Sequence, residues 1–274
     1  MRAIQPQIAL KMTTNDADTI WATMRNEATR EAQNEPMLAS FLHETILNHI
    51  CFEDALSYQL AGKLGNPTIR AMSIREVIDE SLASDPGVSQ AARADVQAIR
   101  DRDPACQGLS VPFLYFKGFQ ALQSYRIAHS LWRQGREALA LYLQNRISEI
   151  FSVDIHPAAS IGQGILIDHA TSLVIGETAV VGDNVSMLHE VTLGGTGKQT
   201  GDRHPKVSHC VLIGAGAKIL GNVDIGEGAM IGAGSVVLES VPAHCTAAGV
   251  PAKIIGRAKV AQPALEMDQC LSSE

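Results

Sequence analysis

Apolar positions divide the chain into two stretches with different periods. Through residue 150 they recur at three- and four-residue spacing and glycine is sparse, which predicts amphipathic helices. Asn15 or Asp16 is expected to cap a helix through Trp21, Met24 and Ala28. Glu35-Pro36 ends it, because proline disfavours helical backbone in the residue before it. Further stripes predict helices through Phe41, Ile46 and Ile50, through Leu56, Leu60 and Leu64, and through Ile74, Val77, Ile78 and Leu82. Asp85-Pro86 starts another that ends near Arg100. Two more are expected from Phe113 to Gln134 and from Arg136 to Ile150.

From residue 155 to residue 242 the period becomes six. Ile155, Ile161 and Ile167 open the series, and Ile175, Val181, Met187 and Leu193 resume it after a two-residue slip. Beyond a glycine-rich insertion follow Val207, Ile213, Ile219, Ile225, Ile231 and Val237. Small or β-branched residues stand two positions earlier at Ala159, Ala179, Val185, Val191, Ala217, Val223, Ala229 and Ser235. Such a register predicts a parallel β-helix with three hexapeptides per turn. The aliphatic side chains point inward and stack, since one hexapeptide cannot bury its own apolar residue.

The composition narrows the function. Of 274 residues, 46% are hydrophobic and 19% charged, and the formal charge of −7 argues against a broad nucleic-acid surface. Five scattered cysteines without a CxxC pair read as reduced thiols of a cytoplasmic protein. Neither a signal-peptide core nor an apolar run long enough for a membrane span is visible.

The two breaks in the repeat are where chemistry is expected, because a regular solenoid does not need them. One is the stretch Asp168 to Val174; the other is the insertion 194–206. Titratable residues gather around them: Asp154 and His156, Asp168 and His169, Arg203 and His204. Asp154 and His169 are fifteen residues apart, a little under one coil. Coils stack about 4.8 Å apart, so Asp154 is expected to reach the His169 ring and fix its tautomer. An imidazole with a pKa of roughly 6.5 suits deprotonation of a hydroxyl. Gly195-Thr196-Gly197-Lys198 is not a phosphate loop, because Thr192 replaces the first glycine and Gln199 replaces the serine or threonine after the lysine.

Several segments together resemble the serine acetyltransferase family of the hexapeptide-repeat acyltransferases. They are Pro36-Met-Leu-Ala-Ser-Phe, Arg102-Asp-Pro-Ala, Asp154-Ile-His-Pro-Ala-Ala, Asp168-His-Ala-Thr, Val174-Ile-Gly-Glu-Thr-Ala-Val, Val191-Thr-Leu-Gly-Gly-Thr-Gly-Lys, Gly201-Asp-Arg-His-Pro-Lys and Ala247-Ala-Gly-Val-Pro-Ala. The resemblance implies an α+β chain: an all-α helical domain over 1–150, then a left-handed parallel β-helix of hexapeptide repeats. That catalytic domain covers 151–259 with the loop 194–206 inserted, and a tail follows over 260–274.

It also implies acetyl transfer from acetyl-CoA to the hydroxyl of L-serine. O-acetylserine and CoA result, as the first step of cysteine biosynthesis, with L-cysteine as feedback inhibitor. His169 would be the general base with Asp154 as its partner. Asp103 and Asp168 would hold the serine ammonium, with Arg203 and His204 around its carboxylate and the reacting centre. Glu177 falls on a family active-site position. Such a division suits a zwitterion, because carboxylates meet the ammonium and a bidentate arginine meets the carboxylate. Asp103 reaches such a site only if the helical half folds over the prism.

Acetyl-CoA is implied as a cosubstrate in a groove between neighbouring prisms. It would lie beside the backbone of Gly195, Ala215 and Ala233, with Lys198, Lys218, Lys253 and Arg257 toward its phosphates. No resident cofactor or metal is expected. Homotrimers or dimers of trimers are implied. Family members that bind O-acetylserine sulfhydrylase end in isoleucine, whereas this chain ends Leu271-Ser272-Ser273-Glu274, so that complex is expected to be weak or absent. Three alternatives stand beside this reading. His204 and His209 have a zinc-ligand spacing used by γ-type carbonic anhydrases. A different acceptor, such as homoserine, a sugar or an antibiotic, would keep the same chemistry. A non-catalytic scaffold would keep only the fold. His189 lies near the site without an assigned role.

Overall fold

The computed structural model describes residues 18–197 and 200–270. Asn15, Asp16, Lys198 and the end from Leu271 to Glu274 therefore lie outside the described residues. The first helix is capped by Asp18, whose Oδ1 accepts the Trp21 amide at 3.0 Å.

The helical half comprises α1 (Thr19–Asn34), α2 (Ala39–Leu42), α3 (Phe52–Leu64), α4 (Ala71–Ser84), α5 (Pro86–Arg102), α6 (Ser110–Tyr115), α7 (Lys117–Arg133) and α8 (Glu137–Phe151). Two expectations are corrected. The helix expected through Ile50 is α2 followed by a π-helical turn, His43–Leu47, and Ile50 is 89% exposed. Side chains of α1 take the carbonyls that a longer helix would have used: Arg25 binds the His49 oxygen and Trp21 Nε1 binds that of Ile50. The helix expected from Phe113 to Gln134 breaks at Phe116 into α6 and α7. Gln120 Nε2 takes the carbonyls of Phe113 and Leu114 at 3.0 and 2.9 Å. The break lets α7 begin flat against the β-helix, where a Cβ on Gly118 would lie 2.1 Å from the Ile167 oxygen.

Thirteen short strands build the solenoid. The first coil holds β1 (Val153–Ile155), β2 (Ser160–Ile161) and β3 (Leu166–Ile167). Next come β4 (Leu173–Ile175), β5 (Val180–Val181), β6 (Ser186–Met187), β7 (Thr192–Gly194), β8 (Lys206–Val207) and β9 (Leu212–Ile213). The last are β10 (Lys218–Leu220), β11 (Asp224–Ile225), β12 (Met230–Ile231) and β13 (Val236–Val237). They form three parallel faces: β1-β4-β7-β10-β13, β2-β5-β8-β11 and β3-β6-β9-β12. Register pairs Ile155 with Ile175, Ile175 with Leu193, Leu193 with Ile219 and Ile219 with Val237. The coils thus take 20, 18, 26 and 18 residues, and the two long ones hold the slip and the insertion. The inward aliphatic row is buried except for Ile161, which is half-buried in the first coil.

The helical half closes the open end of this stack. Buried Asp95 and Arg126 pair at 2.8 Å. Arg126 also donates to the oxygens of Ile161 and Gly162, and Asp95 accepts the Ile165 amide at 2.9 Å. Tyr125 and His129 donate to the oxygens of Ala159 and Pro157. Main-chain groups of the first coil, which have no coil beneath them, are thereby satisfied by side chains. One apolar core runs without interruption from Trp21 to Ala247. At the far end β14 (Cys245–Gly249) pairs parallel with β12, and β15 (Ala252–Arg257) turns back antiparallel. A short α9 (Pro263–Glu266) then crosses the third face, where Ser186 Oγ donates to the Ala264 oxygen at 2.8 Å. No helix of the described residues is long and apolar enough to cross a membrane.

Candidate active site at two edges of the prism

The expected site residues fall mainly on two edges that flank the face β1-β4-β7-β10-β13. The first edge is the slip between β3 and β4. His169 (φ 56°), Ala170 (φ 60°) and Ser172 (φ 61°) are all left-handed there. Such backbone is costly for residues with a Cβ and persists only where the surroundings enforce it. Here Ser172 donates its amide to Ser152 below, and Glu190 above donates to Thr171. The strained turn pushes the His169 side chain outward to 73% exposure. Asp168 Oδ2 lies 3.8 Å from His169 Nε2. The next coil sets His189 edge-on to His169, with ring centroids 5.8 Å apart. His189 Nδ1 is buried without a hydrogen-bond partner.

Above them the same edge is built from small residues. Gly216 donates to the His189 oxygen at 2.9 Å, and Gly234 donates to that of Ala215 at 2.7 Å. Ala215 and Ala233 therefore stand on the rungs over the imidazoles. Lys218 binds the Glu190 oxygen on this side.

The second edge lies beyond β4, at the roots of the insertion. Arg203 binds Glu177 Oε2 at 2.6 Å, and this ion pair holds the Glu177 carboxyl below the usual carboxylate range. His204 lies flat over Gly176, where a Cβ would come within 2.1 Å of its Nε2. The His204 ring accepts the Thr178 amide at Nδ1, 3.1 Å away, with the Thr178 hydroxyl at 2.9 Å from the same atom. Burial, reinforced by Arg203, pushes the His204 pKa down. His156 stands in the first coil, one rung below Gly176 and edge-on to Trp132 at 5.2 Å, and burial lowers its pKa as well. Gly195 is packed beside Arg203, so it belongs to this edge and not to the row of Ala215 and Ala233.

One expectation does not hold within the chain. Asp154 does not reach His169; its Oδ1 accepts Gln144 Nε2 at 2.7 Å, and the carboxylate beside His169 is Asp168. The fifteen-residue spacing falls short because the first coil takes 20 residues, so Asp154 pairs with Val174 in mid-strand and not with the corner. A single chain likewise keeps His169 and His204 on different edges. Asp103 caps the end of α5 and accepts the Ala105 amide at 2.8 Å. Its neighbour Arg102 anchors that end to the prism through Gly164, Ser186 and Asn184. Sequence reasoning missed Thr178, Gln144 and Trp132; the first acts by stacking across coils and the other two by packing of α8 and α7 on the first coil, which no local spacing reports. Among the described residues no three His, Cys, Asp or Glu side chains converge as a metal site would require.

Comparisons with known proteins agree with this architecture. Residues 20–124 match the N-terminal domain of serine acetyltransferase, and residues 204–239 match the bacterial transferase hexapeptide repeats. A serine acetyltransferase of Haemophilus influenzae is 59% identical over 250 residues, 91% of this chain and 94% of that protein. A solved serine acetyltransferase in complex with cysteine superposes with a TM-score of 0.91 at 58% identity, covering 93% of this chain and 99% of that one. Another, from Brucella abortus in complex with coenzyme A, gives 0.87 at 54% identity over 88% of this chain and 96% of that one. The strained His169 corner, the Arg203 and His204 edge and the helical cap thus occur in a chain that belongs to the serine acetyltransferase family.

Proposed function

We propose that the protein transfers the acetyl group of acetyl-CoA to the hydroxyl of L-serine, releasing O-acetylserine and CoA. The observation that carries this reading is the outward imidazole of His169, set on a strained corner beside a carboxylate. His169 takes the hydroxyl proton as the serine oxygen attacks the thioester carbonyl carbon. Collapse of the tetrahedral adduct breaks the C–S bond, and the imidazolium returns the proton to the leaving CoA sulfur. Asp168 and Asp103 hold the ammonium. Arg203, braced by Glu177, and His204 hold the carboxylate.

Because one chain separates these groups onto two edges of one face, we place the complete site between copies. A closed threefold ring brings the first edge of one prism against the second edge of the next through a heterologous contact. Asp154 faces outward between the edges, and among the described residues its Oδ2 has no hydrogen-bond partner. There it meets the His169 of a neighbouring copy. Acetyl-CoA runs along the same groove over Ala215 and Ala233, with Lys218 and Arg257 toward its phosphates. L-cysteine shares the ammonium and carboxylate of serine and competes for the site. A relative solved with cysteine and another with coenzyme A support both assignments.

The test is consumption of the acetyl-CoA thioester in the presence of L-serine, with homoserine and sugars as rival acceptors. L-serine is expected to be preferred by at least about tenfold, or about 1.4 kcal/mol in the transition state. L-cysteine should raise the apparent KM for serine. A rival acceptor used better than serine would remove the substrate assignment.

A further inference from the structure

We propose that Thr178 is a positioning residue that fixes His204 as the Nε2–H tautomer, so that His204 serves as a hydrogen-bond donor to the acceptor substrate's carboxylate and not as a base. This inference rests on the functional reading above and names the role of one residue within it.

Counting hydrogens leaves one arrangement. The Thr178 Oγ1 accepts the amide of Arg203 at 3.0 Å and that of His204 at 3.1 Å. A hydroxyl has two acceptor lone pairs and one proton, so with both lone pairs engaged it can only donate. Its proton has two acceptors in reach, His204 Nδ1 at 2.9 Å and the Asp202 carboxylate, and with its lone pairs taken the oxygen cannot accept a proton from the ring. The Thr178 amide points at the same nitrogen from 3.1 Å. A proton on Nδ1 would face two donors, so Nδ1 carries a lone pair and the ring proton sits on Nε2. Among the described residues Nε2 has no hydrogen-bond partner, and it is not among their buried unpartnered atoms, which leaves its N–H available to a ligand.

The same contacts hold the arginine. Thr178 pins the main chain of Arg203 and His204 together, and Lys206 ties the Thr178 and His204 oxygens at 2.7 and 3.0 Å. Thr178 therefore holds both carboxylate-binding side chains in register where the 13-residue insertion rejoins the prism. Neither the acid–base step at His169 nor the acetyl-CoA groove touches it.

Long-range 1H–15N correlation spectra of histidine-labelled protein, taken without substrate, read the ring directly. The unsubstituted protein should show His204 with a bare Nδ1 and a proton on Nε2, assigned by its loss in His204→Gln. Thr178→Val should introduce an Nδ1–H population and raise the KM for L-serine about tenfold, the scale of one lost hydrogen bond to a charged group. The KM for acetyl-CoA should not change, and kcat should fall much less than KM rises. Thr178→Ser, which keeps the hydroxyl, should restore spectrum and KM together. An Nδ1–H ring in the unsubstituted protein overturns the proposal. So does a Thr178→Val protein with unchanged KM or unchanged ring spectrum. Failure of the unsubstituted protein to acetylate serine would instead remove the functional reading, while the ring spectrum would still stand.

Discussion

At the scale of single residues, His169 combines left-handed backbone, which Asn184, Glu190 and Cys210 also adopt at other corners, with an exposed ring beside Asp168. Replacing it with alanine should lower kcat by about 10² to 10⁴ while leaving the fold intact, as steady-state rates and circular dichroism would show together. Gly176 is fixed by the ring above it, with a Cβ falling 2.0 Å from His204 Cδ2. Gly176→Ala should therefore raise the KM for serine through displacement of His204, without a comparable change for acetyl-CoA. His156 and His204 are both held below the ordinary imidazole pKa by burial. Below about pH 6.5 the unfolded chain then binds more protons than the folded one, so stability is complete above that pH and declines as pH falls. Thermal melts between pH 7.5 and 5.5 should show this slope, and the double variant His156→Gln/His204→Gln should flatten it.

Elements show where sequence patterns inform and where they stop. The six-residue period was fully legible because each inward side chain meets only its equivalents one coil away, so the pattern repeats with the contact. The helical stripes through Leu60 and Ile78 were legible for a similar reason. The Ile50 segment was not, since Arg25 and Trp21 claim its carbonyls across 24 and 29 residues. The break at Phe116 was hidden because its cause is the distant Ile167 backbone. The Asp154–His169 pairing misled for want of the extra residues in the first coil. A buried joint between the halves is also invisible to pattern: Asp95 and Arg126, 0% and 8% exposed, share their hydrogen bonds with the first coil. Arg126→Ala should cost about 3–5 kcal/mol in chemical denaturation, since it strands a buried carboxylate. The double replacement Asp95→Leu/Arg126→Met should cost less than either single change.

For the whole molecule, the proposed division of the site between edges would make activity a property of the assembly. Chains carrying His169→Ala and chains carrying His204→Gln each spoil every interface they form alone. Refolded together, they should regain about a quarter of the wild-type rate, because random rings place two intact edges face to face at that frequency. A site confined to one chain would show no recovery on mixing.

The two ends of the stack are closed by unlike pieces, a layer of helices on one side and a reversed hairpin on the other. A tower of identical rungs otherwise invites another tower to continue it, since a bare last rung is the template for the next. Here the lower rung is already occupied by Tyr125, Arg126 and His129, and β15 runs the wrong way to be copied. Axial polymerisation is thus closed off at both doors, and sideways contact between the prism walls is the route left open for self-association.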